Sequence, residues 1–233
     1  MNGLGDRHKR EKVFSWLKQN NFSICFLQEL HCTKASLDNW KKQWRDEIFL
    51  SGNSSNSTGI GIFINLNQAF ELIEYKEIIE GRIQLLKIKI NDSIIVLVNI
   101  YGPNTEDVKF FTTVENVIMD NNSETMILGG DFNNVLNFQL DKLNGRTDRN
   151  RRCSEKINDI INNNDLHDIY RLRFPDTKRF TWHSNHRPPI FCRLDYFLIS
   201  SNLLNAVTKC NIIPGFLSDH SAITLNLNLN ATI

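Results

Sequence analysis

Four short stretches of the chain carry side chains able to do acid–base or phosphate chemistry. In Gly129-Gly130-Asp131-Phe132-Asn133, an apolar run from Thr125 to Leu128 ends at two glycines. Residues two apart in an extended chain project to the same side, so Asp131 and Asn133 would present a carboxylate and an amide together, with Phe132 turned into the core. Such a pair can hold a water by two hydrogen bonds and remove its proton; the plainer alternative is a Gly-Gly turn with a solvated Asp and an Asn cap. Gln28-Glu29 follows directly on the apolar Ser23 to Leu27. A carboxylate there costs several kcal/mol unless a cation or donors sit beside it, or unless the strand end reaches solvent. Arg193-Leu194-Asp195-Tyr196 opens another apolar run, and Leu217-Ser218-Asp219-His220-Ser221 places Asp, His and two hydroxyls before the last one. A histidine with a carboxylate partner can be held in one tautomer or kept charged.

The surrounding sequence supplies elements to position these groups. Asp6 to Gln19 reads as an amphipathic helix with Val13, Trp16 and Leu17 on one stripe, and Lys34 to Asp46 as a second with Leu37, Trp40 and Trp44. After the loop Ser51 to Thr58, the segments Gly59 to Asn65, Phe70 to Ile78, Arg82 to Ile90 and Ser93 to Ile100 form four strands in succession. Short turns such as Asn91-Asp92 favour antiparallel pairing. Thr105 to Asp120 reads as a helix capped by Thr105, and Ser154 to Asn164 as another with Ile157, Ile160 and Ile161 inward. Leu166 to Leu172 adds a helical turn or two, Arg179 to His183 a short strand, and Ser184 to Phe191 a loop containing Pro188-Pro189. Leu194 to Ile199, Val207 to Ile213 and Ala222 to Leu229 are the last strands, the final one alternating Leu with Asn. Both halves of the chain mix helices with strands. Two sheets packed face to face with helices outside, a four-layer α/β/β/α sandwich, would bury the apolar strands on both sides.

No linker divides the 233 residues, so a single domain over 1–233 is expected. A net charge of +1 argues against indiscriminate, charge-driven binding to nucleic acid, while a local basic stripe such as Lys142, Arg146, Arg149, Arg151 and Arg152 could still meet phosphates. Cys25, Cys32, Cys153, Cys192 and Cys210 are odd in number and widely spaced, which argues against a disulfide framework and a zinc site and for reduced, intracellular thiols. No stretch approaches the ~20 apolar residues of a membrane span. Triplets such as Asn56-Ser57-Thr58 carry no meaning for glycosylation without an export signal.

In order along the chain, Asn2-Gly3, Gln28-Glu29, Tyr101-Gly102-Pro103-Asn104, Gly129-Gly130-Asp131-Phe132-Asn133, Arg193-Leu194-Asp195-Tyr196 and Ser218-Asp219-His220-Ser221 resemble the motifs of the endonuclease/exonuclease/phosphatase superfamily. Within it they are most similar to the apurinic-type endonuclease domain of LINE retrotransposons, a likeness narrowed by Phe180-Thr181-Trp182. The resemblance covers essentially the whole chain. It implies a deoxyribonuclease I-like fold and Mg²⁺-dependent cleavage of a DNA phosphodiester, with Mn²⁺ as a substitute, leaving a 3′ hydroxyl that can prime reverse transcription.

By the same resemblance Glu29, Asp219 and Asn2 would hold the metal. Asp131 would deprotonate the attacking water, Asn133 would position it, His220 paired with Asp195 would stabilise the phosphorane-like charge, and Tyr101 would donate to a phosphate oxygen. Thr181, Trp182, Arg187, Ser218 and Asn104 would contact substrate, with the hairpin Trp182 to Arg193 setting target preference. Double-stranded DNA is the implied partner, for a monomer acting in the nucleus, attached to or derived from a polyprotein with a reverse-transcriptase domain. Abasic-site repair nucleases and phosphoinositide phosphatases share the centre, and a catalytically impaired remnant would share the motifs. The family opens with a strand followed by Asn-x-Asn-Gly or Asn-x-Asp-Gly. Here Met1 stands at x, so the chain as written is expected to lack that strand and its Asn, and to be less stable and less active than a domain extended upstream.

Overall fold

The structure, a computed structural model, describes residues 2–53, 58–65, 69–145 and 150–229. Met1, Asn56, Ser57, Arg146 and Arg149 lie outside them. The chain divides into two compact units, Met1–Tyr101 with Phe216–Asp219, and Gly102–Gly215 with His220–Ile233.

In the first unit, α1 (Arg7–Gln19) starts where Asp6 accepts a hydrogen bond from the Lys9 N–H at 2.7 Å. Its buried Phe14 meets the rings of Trp44 and Phe63 edge-on, both at 5.3 Å. Trp44 closes α2 (Leu37–Trp44), which ends two residues before the expected Asp46 because Arg45 turns left-handed at φ 69°. These rings cover a sheet in which β3 (Ile60–Ile64) lies between β1 (Ile24–Leu27) and β2 (Ile48–Ser51), antiparallel to both. The strand β2 has no counterpart in the sequence reading: four residues after a basic helix are too few to show a period. A meander of β4 (Glu71–Ile79), β5 (Ile83–Ile90) and β6 (Ser93–Tyr101) forms the second sheet of this unit. The four expected consecutive strands therefore split, β3 joining β1 and β2.

In the second unit β12 (Asp195–Ser200) runs between β7 (Thr125–Asp131) and β9 (Leu166–Asp168), antiparallel to both. Gly129 and Gly130 do not end β7, as the sequence suggested, but continue it opposite Phe197 and Tyr196. Gly130 takes φ 137°, which a side chain would resist. The hairpin of β13 (Val207–Ile213) and β14 (Ala222–Leu227) packs on β12, with Leu225 and Leu227 half-buried and Asn226 exposed. Helix α3 (Val108–Met119) begins two residues later than expected. Its cap is Asp107, not Thr105, because the Asp107 carboxylate reaches the Phe110 N–H at 3.1 Å. It packs against α4 (Arg151–Asn163), and the short α5 (Ile169–Arg173) follows β9. A small sheet orders β10 (Trp182–His183), β11 (Phe191–Cys192) and β8 (Lys142–Leu143). All five cysteines are free and buried, and burial pushes the Cys25 and Cys32 thiols up to about 12. No helix among the described residues is long and apolar enough to cross a membrane.

Candidate active site

The register of β7 against β12 sets Asp131 directly opposite Asp195, both more than nine-tenths buried. Like charges across a strand pair are unfavourable unless a cation lies between them. His220 fills that role: its Nδ1 is 2.9 Å from Asp195 Oδ2 and its Nε2 is 4.0 Å from Asp131 Oδ2. The three side chains offer ligand-type atoms within 4.8 Å of one another. Burial works to lower the imidazole pKa, but the Asp195 carboxylate, by charge and by hydrogen bond, and then Asp131 outweigh it and hold His220 up at about 9. Burial, reinforced by Asp195, pushes Asp131 up to about 7, against the pull of His220 and of the Asn133 N–H. One group is therefore kept cationic at neutral pH while its neighbour exchanges a proton there.

Asn133 does not continue the strand as expected. It turns left-handed at φ 52°, so its own N–H donates to Asp131 Oδ1 at 2.9 Å and its Nδ2 donates to the Gly102 carbonyl at 2.9 Å. Phe132 is buried as the alternation required. Gly102 also donates its N–H to Asp131 O at 2.7 Å. A Cβ on Gly102 would overlap the Phe132 carbonyl group, which is backbone and cannot step aside. Gly102→Ala is expected to lower any activity that uses Asp131 and Asn133 by at least about tenfold through displacement of Asn133, consistent with the sensitivity of catalysis to shifts of about 1 Å. Kinetics beside urea denaturation would check this, and unaltered kinetics would remove the role given to the contact.

The segment Phe180-Thr181-Trp182 supports His220 from the side. Trp182 forms a backbone bridge with His220, and the Ser221 N–H donates to Thr181 O at 2.7 Å. Thr181, expected to touch substrate, is 2% exposed, and its hydroxyl accepts from the N–H groups of Leu194 at 2.9 Å and Asp195 at 3.3 Å. It holds the start of β12 from within. Trp182 is half-buried, while Arg187 and Asn104 are exposed.

Sequence reasoning missed a polar cluster under this site. Arg193, 1% exposed, donates from Nε and Nη2 to Asp141 at 2.7 and 3.0 Å, and from Nη1 and Nη2 to Asp168 at 3.1 and 2.7 Å. Arg171 Nη2 shares Asp141 Oδ1 at 2.5 Å. The guanidinium lies 4.4 Å from the centre of the Tyr196 ring, whose hydroxyl meets the carbonyls of Arg193 and Asn134 and accepts from the Leu136 N–H. Arg193 was visible only as a member of a motif, and Asp141 only as the residue before the basic stripe that starts at Lys142.

The first unit holds the remaining groups. Glu29 follows β1 with left-handed φ 55°, and its Oε1 accepts from the Tyr101 hydroxyl at 2.9 Å. Its Oε2 accepts from the backbone N–H of Asn2 at 3.1 Å. A single carboxylate suits a hard divalent cation that keeps most of its waters. Ser218 is half-buried and Asp219 exposed.

Comparison with known proteins agrees with this geometry. The sequence pattern of the Endonuclease/Exonuclease/phosphatase family matches residues 1–220. The chain is 27% identical over 235 residues to the transposon TX1 uncharacterized 149 kDa protein of Xenopus laevis, which covers 98% of this chain but only 18% of that protein. Its fold matches an AP endonuclease of Leishmania major with a TM-score of 0.77 at 15% identity, over 97% of this chain and 85% of the other. It also matches the endonuclease domain of TRAS1, a telomere-specific non-LTR retrotransposon, with a TM-score of 0.70 at 13% identity, over 97% and 96% of the two chains. An AP endonuclease of Archaeoglobus fulgidus gives 0.71 at 16% identity, over 95% of each. The fold is thus the mixed α/β fold of two packed sheets found in these enzymes. With its motifs in order and all but the last thirteen residues matched, the chain belongs to the Endonuclease/Exonuclease/phosphatase family.

Proposed function

We propose that this chain is the endonuclease domain of a LINE-type retrotransposon, a monomeric unit of a longer polyprotein that also carries a reverse transcriptase. On this reading it nicks one strand of nuclear duplex DNA and leaves a 3′ hydroxyl. The observation that carries the proposal is the buried Asp195–His220–Asp131 arrangement, in which a charged imidazole and a carboxyl poised near neutrality face one another. The likeness to the TX1 transposon protein supports the choice within the family.

The residues suggest the following division of work. Asp131 accepts a proton from water at Oδ2, the oxygen facing His220, while Asn133 orients that water. The water oxygen bonds to phosphorus, the P–O3′ bond breaks, and the 3′ oxygen takes up a proton to leave a 3′ hydroxyl and a 5′ phosphate. The His220 imidazolium, fixed by Asp195, stabilises negative charge as it grows on the phosphate oxygens, and Tyr101, whose hydroxyl donates to Glu29 before substrate binds, would turn that hydrogen to one of them. Glu29, with Asn2 and Asp219, would hold Mg²⁺, or Mn²⁺ in its place, and the cation supplies charge that offsets that of the leaving oxygen. Trp182, Arg187, Ser218 and Asn104 are assigned to contacts with DNA.

The test is a Mg²⁺-dependent assay on supercoiled plasmid, abasic duplex and a soluble phosphoinositide. Nicks on plasmid that a polymerase extends without end repair are expected; strong preference for abasic duplex or phosphoinositide would replace the reading. At saturating metal, the rate should rise through about pH 7 as Asp131 loses its proton and fall above about pH 9 as His220 loses its own. Asp195→Asn should draw the alkaline limb down towards the ordinary histidine range of about 6.5. A limb unmoved by that change would separate it from His220.

A further inference from the structure

We propose that Asn99 is the positioning residue for Glu29, setting the carboxylate where it can take up a divalent cation; this rests on the reading of Glu29 as a metal ligand. Asn99 interrupts the apolar interior of β6, Ile94 to Ile100, and is completely buried. A primary amide in such a place has to find its partners inside the protein. Its Nδ2 donates to the carbonyls of Leu27 at 3.3 Å and Gly61 at 3.0 Å, which stand opposite one another in the β1–β3 pair. Its Oδ1 accepts from Gln28 Nε2 at 2.7 Å. The bonds to Leu27 and Gly61 cross from the meander sheet to the other sheet of the same unit, and the third reaches the residue that follows β1.

Two of them, to Leu27 and Gln28, end on the residues immediately before Glu29. Two residues along β6, on the same face by strand alternation, Tyr101 holds Glu29 itself through Oε1. Asn99 and Tyr101 therefore grip Leu27, Gln28 and Glu29 in succession. On the downstream side the main chain is held by its own hydrogen bonds, Gly3 N to Glu29 O at 2.8 Å and Leu30 N to Gly59 O at 2.9 Å. The side-chain grip of Asn99 secures the upstream side of a backbone that turns left-handed at Glu29. Outer partners that orient a ligand change metal affinity by about 10- to 100-fold when removed.

The experiment measures Mn²⁺ binding by electron paramagnetic resonance without DNA, with Glu29→Gln marking the site. Asn99→Leu keeps the side-chain size and removes the hydrogen bonds; it should weaken Glu29-dependent binding about tenfold or more. Gln28→Leu, which removes one bond from a half-buried side chain, should weaken it less but measurably. Lower urea stability with unchanged Mn²⁺ affinity in both variants would make Asn99 merely structural and overturn the proposal. If Asn99→Leu does not fold by circular dichroism, Gln28→Leu decides: weaker binding supports the proposal and unchanged binding overturns it. If the wild-type chain shows no Glu29-dependent Mn²⁺ site, the metal reading fails by itself. Crystal structures of the variants then decide the positioning role, the Glu29–Tyr101 hydrogen bond being lost if Asn99 sets it and kept if it does not.

Discussion

Replacing Asp131 by asparagine is expected to lower the rate of DNA nicking by about 10³-fold, within the range for loss of a positioned general base. His220→Ala should cost a similar factor by removing the charge that, on the proposed reading, faces the phosphate. The asparagine keeps an oxygen for the Asn133 N–H, so the turn at φ 52° survives and the loss reports chemistry. Stability should move the other way. Because the carboxyl of Asp131 is raised to about 7 in the fold, the unfolded chain gives up this proton at lower pH than the native one. Stability from this group therefore falls as pH rises from about 4 through about 7. At pH 8 Asp131→Asn should unfold at higher urea than the parent chain. A variant that is inactive and more stable is the signature of a site strained for function; one that nicks plasmid normally would end the assignment of Asp131 as base.

The largest loss of stability is expected from Arg193→Met. The methionine fills much of the space but leaves Asp168, and in part Asp141, buried without their cation. Breaking a buried pair in this way typically costs about 3–5 kcal/mol. At roughly 2–4 °C per kcal/mol for a chain of this size, the melting temperature should fall by about 10 °C. Asp141 is 0% exposed, and Arg171 supplies its other cation through a single hydrogen bond. Neutralising the carboxylates as well, in Arg193→Met/Asp141→Asn/Asp168→Asn, should restore part of the loss, because orphaned charge is its main source. Equal melting temperatures for Arg193→Met and the parent would show that the cluster does not hold the fold together.

Much of the site could be read from the chain because its members sit at element ends, where local pattern is informative. Glu29 after an apolar run and Asp195 at the head of another were each placed by neighbours within a few residues. The Asp195–His220 pair, separated by 25 residues, came from ordered motifs rather than from any period. Where long-range packing decides, pattern was silent or misleading. The glycines at 129 and 130 read as a stop, yet they continue a strand that pairs with β12, whose Tyr196 and Phe197 stand opposite them. Arg193 and Asp141 are 52 residues apart, and Asn99 lies 72 from Leu27, so no window along the sequence contains both partners. Asn133 was placed on an extended strand because the hydrogen bond that bends it comes from its own backbone, a choice that asparagine makes more readily than most residues.

The burial of all five thiols has a practical consequence. Thiolate is the species that maleimides and disulfides react with, and at neutral pH the raised pKa values of Cys25, Cys32, Cys153 and Cys210 leave little of it. A cysteine introduced at an exposed position, such as Asn185 in the loop between β10 and β11, would be the fast-reacting sulfur in a native background that needs no cysteine removed. A single fluorophore placed there would allow encounters of individual molecules with DNA to be followed in real time.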